Sequence, residues 1–251
     1  RFLEQHVIPA EGEVIKWLSE NRPDVVVAAP YVFFPFGETE YVKAAKKIGI
    51  PTIVIVSSWD NLSTKGAFHH FPDVTLVWND WLAEQAVTLH DIPHDTILSV
   101  GAPKFDAHFL AKDTSARNDF MHRAGLTPDK PFVTYFGSSN FVSAHSEIGG
   151  EDSYFLKVIQ ALRDNPSTHD VSVLVRPHPN RKARYIWQQF SPPENCVLWD
   201  SNYQADISRF QDFQKDLFDT IRYSEAVIAM NTSAFIDASI FGKPCVAISP
   251  P

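Results

Sequence analysis

Short apolar runs alternate with amphipathic stretches along almost the whole chain. Val25–Ala29, Thr52–Val56, Val74–Trp78 and Thr96–Val100 carry little polar alternation, the pattern of parallel strands buried on both faces. Val14–Asn21 reads as the end of a helix that leads through Pro23-Asp24 into the first run. Glu38–Ile48 is a second helix, with Tyr41, Val42, Ala45 and Ile48 on one face and a break at Gly49-Ile50-Pro51. Trp81–Leu89 is a third. After a helix over Thr114–Ala124 that ends at Gly125, a new series opens at Pro131–Phe136. It predicts strands at 171–175, 196–199, 226–230 and 245–248, and helices at 152–163, 182–190, 212–223 and 233–241. Alternating strands and helices predict an α/β fold built on mainly parallel sheets.

The alternation lapses at Gly101-Ala-Pro-Lys-Phe-Asp106, and residues 102–113 read as a connector. The length of 251 residues accommodates two domains. A boundary in 106–115 divides the chain into 1–108 and 109–251, each expected to be incomplete at its outer end. The chain begins at Arg1 within what reads as a helix and stops at Pro250-Pro251 just after a strand, so it is expected to be a fragment. Asn140–Gly150 is polar and ends in two glycines, which predicts a mobile loop over a cleft.

Composition narrows the function. A formal net charge of -8 argues against a non-specific nucleic-acid binder and means that a phosphate ligand must be held by local groups. Cys196 and Cys245 both sit in apolar runs and read as buried free thiols rather than as a disulfide or zinc pair. No apolar run approaches the ~20 residues of a membrane helix, and no signal peptide is visible. His69-His70 has no third ligand at useful spacing, so no metal site is expected. There is no Asp-x-Asp pair, no P-loop, no Gly-x-Gly-x-x-Gly and no Gly-x-Ser-x-Gly. Metal-dependent transfer, ATP hydrolysis, dinucleotide redox chemistry and esterase chemistry lose support accordingly.

Three polar clusters remain, each at the end of a predicted strand, where open α/β sheets bind ligands. In Ala226–Ile248 an apolar run stops at Asn231-Thr232-Ser233 and a helix follows. Backbone amides at such a helix start suit an anion, phosphate above all, and Asp237 lies one turn on, within reach of a ligand hydroxyl. Phe136-Gly-Ser-Ser-Asn140 offers a close backbone approach and the hydroxyls of Ser138 and Ser139; an ordinary loop reads equally well. In Arg176-Pro-His-Pro179 two prolines restrict the backbone around His178, a phosphate donor or an acid or base, while Arg176 carries a fork of donors for phosphate. A turn with a solvated histidine is the alternative. A further segment, Ser57–Gly66, follows the strand Thr52–Val56. There Trp59 presents a stacking face, Asp60 a general base, and Asn61 and Lys65 partners for hydroxyls or an anion. Asp60 or Asn61 capping the loop's own backbone is the competing reading.

Taken together, these residues resemble a GT-B type glycosyltransferase. The nearest group is the bacterial surface-polysaccharide and CDP-glycerol glycerophosphotransferase-like enzymes, with UDP-GlcNAc 2-epimerases as cousins. The resemblance rests on Arg176-Pro-His-Pro179, on Asn231-Thr-Ser-Ala-Phe-Ile-Asp-Ala238 with Gly242-Lys-Pro244, and on Gly101-Ala-Pro-Lys-Phe-Asp106, whose family form is Gly-x-Pro-Arg-x-Asp. It implies two Rossmann-like domains facing each other across a cleft, the first for the acceptor and the second for the nucleotide. By the same resemblance His178 contacts the donor phosphates, Asn231, Thr232 and Ser233 bind phosphate, and Asp237 holds the ribose hydroxyls where the family often has Glu. The Trp-His-Gly motif of the glycerophosphotransferases is missing. Ser58-Trp-Asp-Asn61 stands in its place with Asp60 where the histidine would be, which favours a sugar transferase.

The expected reaction moves a glycosyl or related group from a UDP-, CDP- or GDP-linked donor to a hydroxyl of a glycan or lipid-linked cell-surface precursor. Asp60 and His178 are the expected catalytic groups, and no metal or other cofactor is needed. Ser138, Ser139, Arg176, His178, Asn231, Thr232, Ser233 and Asp237 would hold the nucleotide, with Trp59, Asn61 and Lys65 on the acceptor. No nucleic-acid partner is expected. The expected location is the cytoplasm, with peripheral association at the inner membrane face left open, and no particular oligomer is implied. The rival readings are a nucleotide-sugar 2-epimerase or hydrolase, a CDP-glycerol glycerophosphotransferase, and a non-catalytic GT-B binding module.

Overall fold

A computed structural model describes residues 2–31, 37–110, 115–138, 150–179, 187–188, 190–199 and 210–249. The chain divides into two units, Arg1–Lys104 and Phe105–Pro251. Each is an α/β layer structure whose strand pairs are all parallel.

The first unit runs α1 (Phe2–His6), α2 (Gly12–Asn21), β1 (Val26–Ala28), α3 (Glu38–Lys47), β2 (Thr52–Ile55), α4 (Asn61–Thr64), β3 (Val74–Val77), α5 (Asp80–His90) and β4 (Ile97–Ser99). Its sheet has the order β1-β2-β3-β4. Val54, Val56 and Val77 pack with Leu82 and Ala86 of α5 and with Leu62, Phe68 and Ile92. A second apolar layer joins Leu18 of α2 to Ala44 and Ala45 of α3. Asn79 starts α5 by accepting the Leu82 N–H at 3.0 Å, which satisfies one donor that the first turn leaves open.

The second unit runs α6 (Asp106–Leu110), α7 (Arg117–Ala124), β5 (Phe132–Phe136), α8 (Glu151–Asp164), β6 (Ser172–Arg176), β7 (Cys196–Leu198), α9 (Phe210–Tyr223), β8 (Val227–Ala229), α10 (Ala234–Ile240) and β9 (Cys245–Ala247). The sheet order is β7-β6-β5-β8-β9. Side chains alternate across it with the period of two that strands impose. Val133, Tyr135, Val173, Val175 and Ile228 face Phe155 and Ile159 of α8 together with Trp187. On the opposite face Phe132 and Leu174 meet Phe120 and Met121 of α7, and Phe136, Val227 and Ala229 meet Ile221 of α9 and Ala234 and Ala238 of α10.

The two-domain parallel α/β architecture read from the hydrophobic pattern is the one observed. Three local expectations are corrected. The connector read over 102–113 contains a helix, α6, because Ala107, His108 and Phe109 follow Pro103 in a helix-compatible run and His108 is buried. Burial on both faces holds for β5, β6 and β8 only: in the first unit, where it was expected, β2 and β3 alternate buried with half-buried residues, and the edge strands β1, β4, β7 and β9 are more open. Cys245, expected inside, is therefore exposed on edge strand β9, and Cys196 is half-buried on edge strand β7. The expected helix 182–190 is described only at Trp187 and Gln188, which are helical, and at Phe190, which is not; the loop 140–149 lies outside the described residues, and Gly150 caps α8. Among the described residues no helix is long and apolar enough to cross a membrane, and no cluster of His, Cys, Asp and Glu could hold a metal ion.

A polar clip sets the entry to β2 and β3. Asp73 Oδ2 accepts the Thr52 N–H at 2.8 Å and the Thr52 hydroxyl at 2.7 Å, while Lys46 donates to Oδ1 at 3.0 Å. Desolvation pulls the Asp73 carboxyl upward, but these hydrogen bonds and the lysine charge outweigh it and hold it below the usual carboxylate range. A folded-state value below the unfolded one contributes stability above the unfolded value that is lost as pH falls through the folded one. Asp73→Ala is expected to lose less stability than the wild type on acidification from about pH 5 to about pH 3, measured by urea unfolding. Identical acid profiles would show that the clip adds nothing.

Candidate functional site

β5 is the point at which the order of the second sheet reverses: β6 and β7 extend to one side, β8 and β9 to the other. Open parallel sheets bind ligands outside the carboxyl ends of their strands at such a reversal. A cavity of about 220 Å³ lies there. Phe136 and Gly137 line it from the end of β5, Arg176, Pro177, His178 and Pro179 from the end of β6, and Trp199 from beyond β7. Phe213 and Leu217 of α9, Thr232, Ser233 and Ala234 after β8, and Asp237 of α10 complete the lining.

Gly137 allows these walls to meet. Its N–H donates to the Arg176 carbonyl at 2.8 Å. A Cβ here would stand 3.0 Å from the His178 amide nitrogen, 3.1 Å from Trp187 Nε1 and 3.3 Å from Pro177 Cα, so any larger residue would push on the backbone of the Pro-His-Pro turn by a few tenths of an ångström. His178 is half-buried, and desolvation pushes its imidazole below the ordinary histidine value.

Arg176 is only 5% exposed. Its guanidinium lies over the rings of Trp199 at 5.0 Å and Phe213 at 5.8 Å. Nη1 donates to the Asp216 carbonyl at 2.9 Å and to Thr220 Oγ1 at 2.8 Å. Part of the fork expected to hold phosphate is thus committed to α9, and the side chain joins β6 to that helix. Thr232 Oγ1 accepts the Ala234 N–H at 3.2 Å, which occupies one of the amides expected to face an anion. Asn231 is exposed and stands outside the cavity lining, whereas Thr232 and Ser233 belong to it.

Asp237 has a partner that sequence reading missed. His108 Nε2 lies 2.6 Å from Asp237 Oδ1, and the two side chains are 5% and 13% exposed. His108 Nδ1 is 3.2 Å from the Phe105 carbonyl. Trp199 and Phe213, two aromatic walls of the cavity, were also not picked out; the only available signal was Trp199 closing the predicted strand 196–199.

Ser138 is fully buried, and its N–H donates to both Glu151 carboxylate oxygens, at 2.8 and 3.0 Å. The Tyr135 hydroxyl donates to Glu151 Oε1 at 3.1 Å. The amide expected to meet phosphate therefore already holds an internal carboxylate. Burial drives that carboxyl above its ordinary range, against the hydrogen bonds from Ser138 and Tyr135. Ser139 lies outside the described residues.

The remaining expected residues belong to the first unit. Asn61 is 3% exposed, and its side-chain oxygen accepts the Ser57 N–H at 3.0 Å and the Ser58 N–H at 2.7 Å. It shapes the loop after β2 rather than offering itself to a ligand. Asp60 Oδ1 accepts the Ser58 hydroxyl at 2.6 Å, and Lys65 Nζ pairs with Oδ2 at 3.1 Å. Desolvation would raise the Asp60 carboxyl, but the bonds from Ser58 and Lys65 and the lysine charge hold it below the usual carboxylate range. Trp59 is exposed. His69 is exposed and His70 half-buried in the loop before β3.

Neither a family model nor a curated protein sequence matches the chain. Solved structures do. UDP-GlcNAc 2-epimerase from Neisseria meningitidis bound to UDP-GlcNAc matches with a TM-score of 0.65 at 14% identity, over 95% of this chain and 63% of that one. The Staphylococcus aureus MnaA–UDP co-structure matches with a TM-score of 0.62 at 13% identity, over 95% and 61%. UDP-GlcNAc 2-epimerase from Methanocaldococcus jannaschii gives 0.58 at 13% identity, over 94% and 64%. The chain shares their two-domain GT-B-like fold and spans about three fifths of their length.

Gly137→Ala is expected to destabilise the protein by about 1–3 kcal/mol, the usual cost of forcing a methyl group into a filled space. Denaturant unfolding checks this. Unchanged stability would mean that the Pro177–His178 backbone gives way freely and that the close approach imposes no constraint.

Proposed function

We propose that this chain acts on a nucleotide-activated sugar, with the second unit holding the nucleoside diphosphate. The observation that carries the reading is the cavity at the strand-order reversal, where Arg176, His178, Thr232, Ser233 and Asp237 meet beside the aromatic faces of Trp199 and Phe213. Cationic, imidazole and hydroxyl groups suit a diphosphate, a carboxylate suits vicinal hydroxyls, and an aromatic wall suits a base or sugar face. Solved structures of the same fold contain UDP or UDP-GlcNAc, which supports the same ligand class here.

The proposed reaction is transfer to an acceptor hydroxyl of a glycan or lipid-linked cell-surface precursor, and the first unit is assigned the acceptor. The bond between the anomeric carbon and the diphosphate oxygen breaks as the acceptor oxygen bonds to that carbon, and Asp60 takes the acceptor's proton. His178 and the Thr232–Ser233 turn stabilise the negative charge that builds on the departing diphosphate. Because Asp60 is held below the usual carboxylate range, it is in its unprotonated form throughout neutral pH. A second reading, epimerisation or hydrolysis of the nucleotide sugar itself, is favoured by the identity of the solved structures that share the fold.

A thermal-shift screen of UDP, CDP, GDP and their sugars tests the ligand class. At about 100 times Kd a bound nucleotide is expected to raise Tm by roughly 5–10 °C, and His178→Ala to reduce the shift. No shift with any of them would overturn the reading. Incubation with radiolabelled UDP-GlcNAc and no acceptor separates the two reactions: an intact donor supports transfer, and conversion supports the second reading.

Asp60→Asn is expected to lower kcat about 10²–10⁴-fold with donor binding unchanged. The acid limb of kcat/KM in the wild type is expected to fall below the ordinary carboxylate value, since protonation must overcome the lysine pair. An Asp60→Asn variant with full turnover would remove Asp60 from the chemistry.

A further inference from the structure

We infer that His108 is the positioning residue for the cavity's only described carboxylate, Asp237, and that this pair governs recognition of the ligand's vicinal hydroxyls. The inference rests on the nucleotide reading above and deepens it by naming a specificity determinant in a different part of the chain.

His108 sits in the middle of α6, 129 residues before its partner. Its ring is enclosed by aromatic neighbours, with centroid separations of 4.5 Å to Phe218, 5.4 Å to Phe105 and 5.7 Å to Phe241. One ring nitrogen faces the Phe105 carbonyl and the other faces Asp237 Oδ1. The carboxylate oxygen accepts, so the ring donates to it from Nε2, while Nδ1 faces the Phe105 carbonyl.

Two consequences follow for the cavity. The short bond fixes Asp237 Oδ1 in place, so the carboxylate's orientation is set by α6 and not by the ligand. Preorganisation of this kind removes an ordering cost from binding. The second consequence is electrostatic. A lone carboxylate in a diphosphate cavity would repel the ligand, and the hydrogen bond from His108 disperses part of that charge. Asp237 can then serve hydroxyl groups of the ligand at a smaller cost to its phosphates.

The aromatic cage separates this role from packing. His108→Phe retains a ring of similar size among Phe105, Phe218 and Phe241 but removes the Nε2 donor. His108→Gln retains a donor that can reach a carboxylate. Binding of UDP, CDP and GDP, each against its 2′,3′-dideoxy counterpart, is measured by calorimetry for the wild type and both variants, with Tm recorded for each protein.

The wild type is expected to prefer at least one ribonucleotide over its dideoxy form by about tenfold, the size expected of a hydrogen bond to a charged group. His108→Phe is expected to bring that preference to within about twofold while still binding the dideoxy form, and His108→Gln to restore part of it. Should His108→Phe fail to fold, His108→Gln decides: a preference between that of the wild type and that of an Asp237→Asn variant supports the inference, and one equal to the wild-type value overturns it. Undiminished preference in both histidine variants overturns the positioning role and leaves the nucleotide reading standing. Absence of nucleotide binding in the wild type overturns the nucleotide reading, and this inference with it.

Discussion

A buried cation organises the second unit. Arg176 stands at the end of a strand whose five residues are all buried, and a guanidinium taken out of water is costly unless it finds acceptors and polarisable neighbours. The unit supplies both: a backbone carbonyl and a hydroxyl from α9, and the faces of Trp199 and Phe213. Those contacts draw α9 and the end of β7 toward β6. Gly137 then brings β5 against the Pro-His-Pro turn, and the cavity is the space these contacts enclose. Arg176 therefore acts first as a brace and only through that as part of a ligand surface.

Most secondary-structure elements were legible in the sequence because the parallel strands are short, unbroken apolar runs, and Gly and Pro mark the ends of the helices between them. Residues such as His178 and Thr232 meet for a related reason. In a parallel sheet every strand's carboxyl end lies on one edge, so polar clusters that follow strands are brought to the same side. The pattern is less informative at sheet edges. Cys245 sits in an apolar run like those of the inner strands, yet no further strand pairs β9 on its outer side among the described residues, and the cysteine is exposed.

Pairings across long sequence separations were not legible. His108 lies in a stretch that resembled a connector, and nothing within its own segment indicates Asp237. Ser138 and Glu151 show the opposite failure: an amide with the features of an anion site is satisfied by a carboxylate from the next helix. Asn61 belongs with it, since a carboxamide among serines reads as a ligand contact or as a loop brace, and only the burial of the side chain and its two amide partners distinguishes them.

The central claim is that a diphosphate occupies the cavity at the sheet's reversal point, between His178 and Thr232–Ser233. A crystal structure of the protein grown with UDP-GlcNAc tests this most directly. The account predicts diphosphate density against the His178 imidazole and the Thr232 and Ser233 residues, with the ribose toward Asp237. Nucleotide density elsewhere on the protein, with this cavity left to solvent, would contradict it.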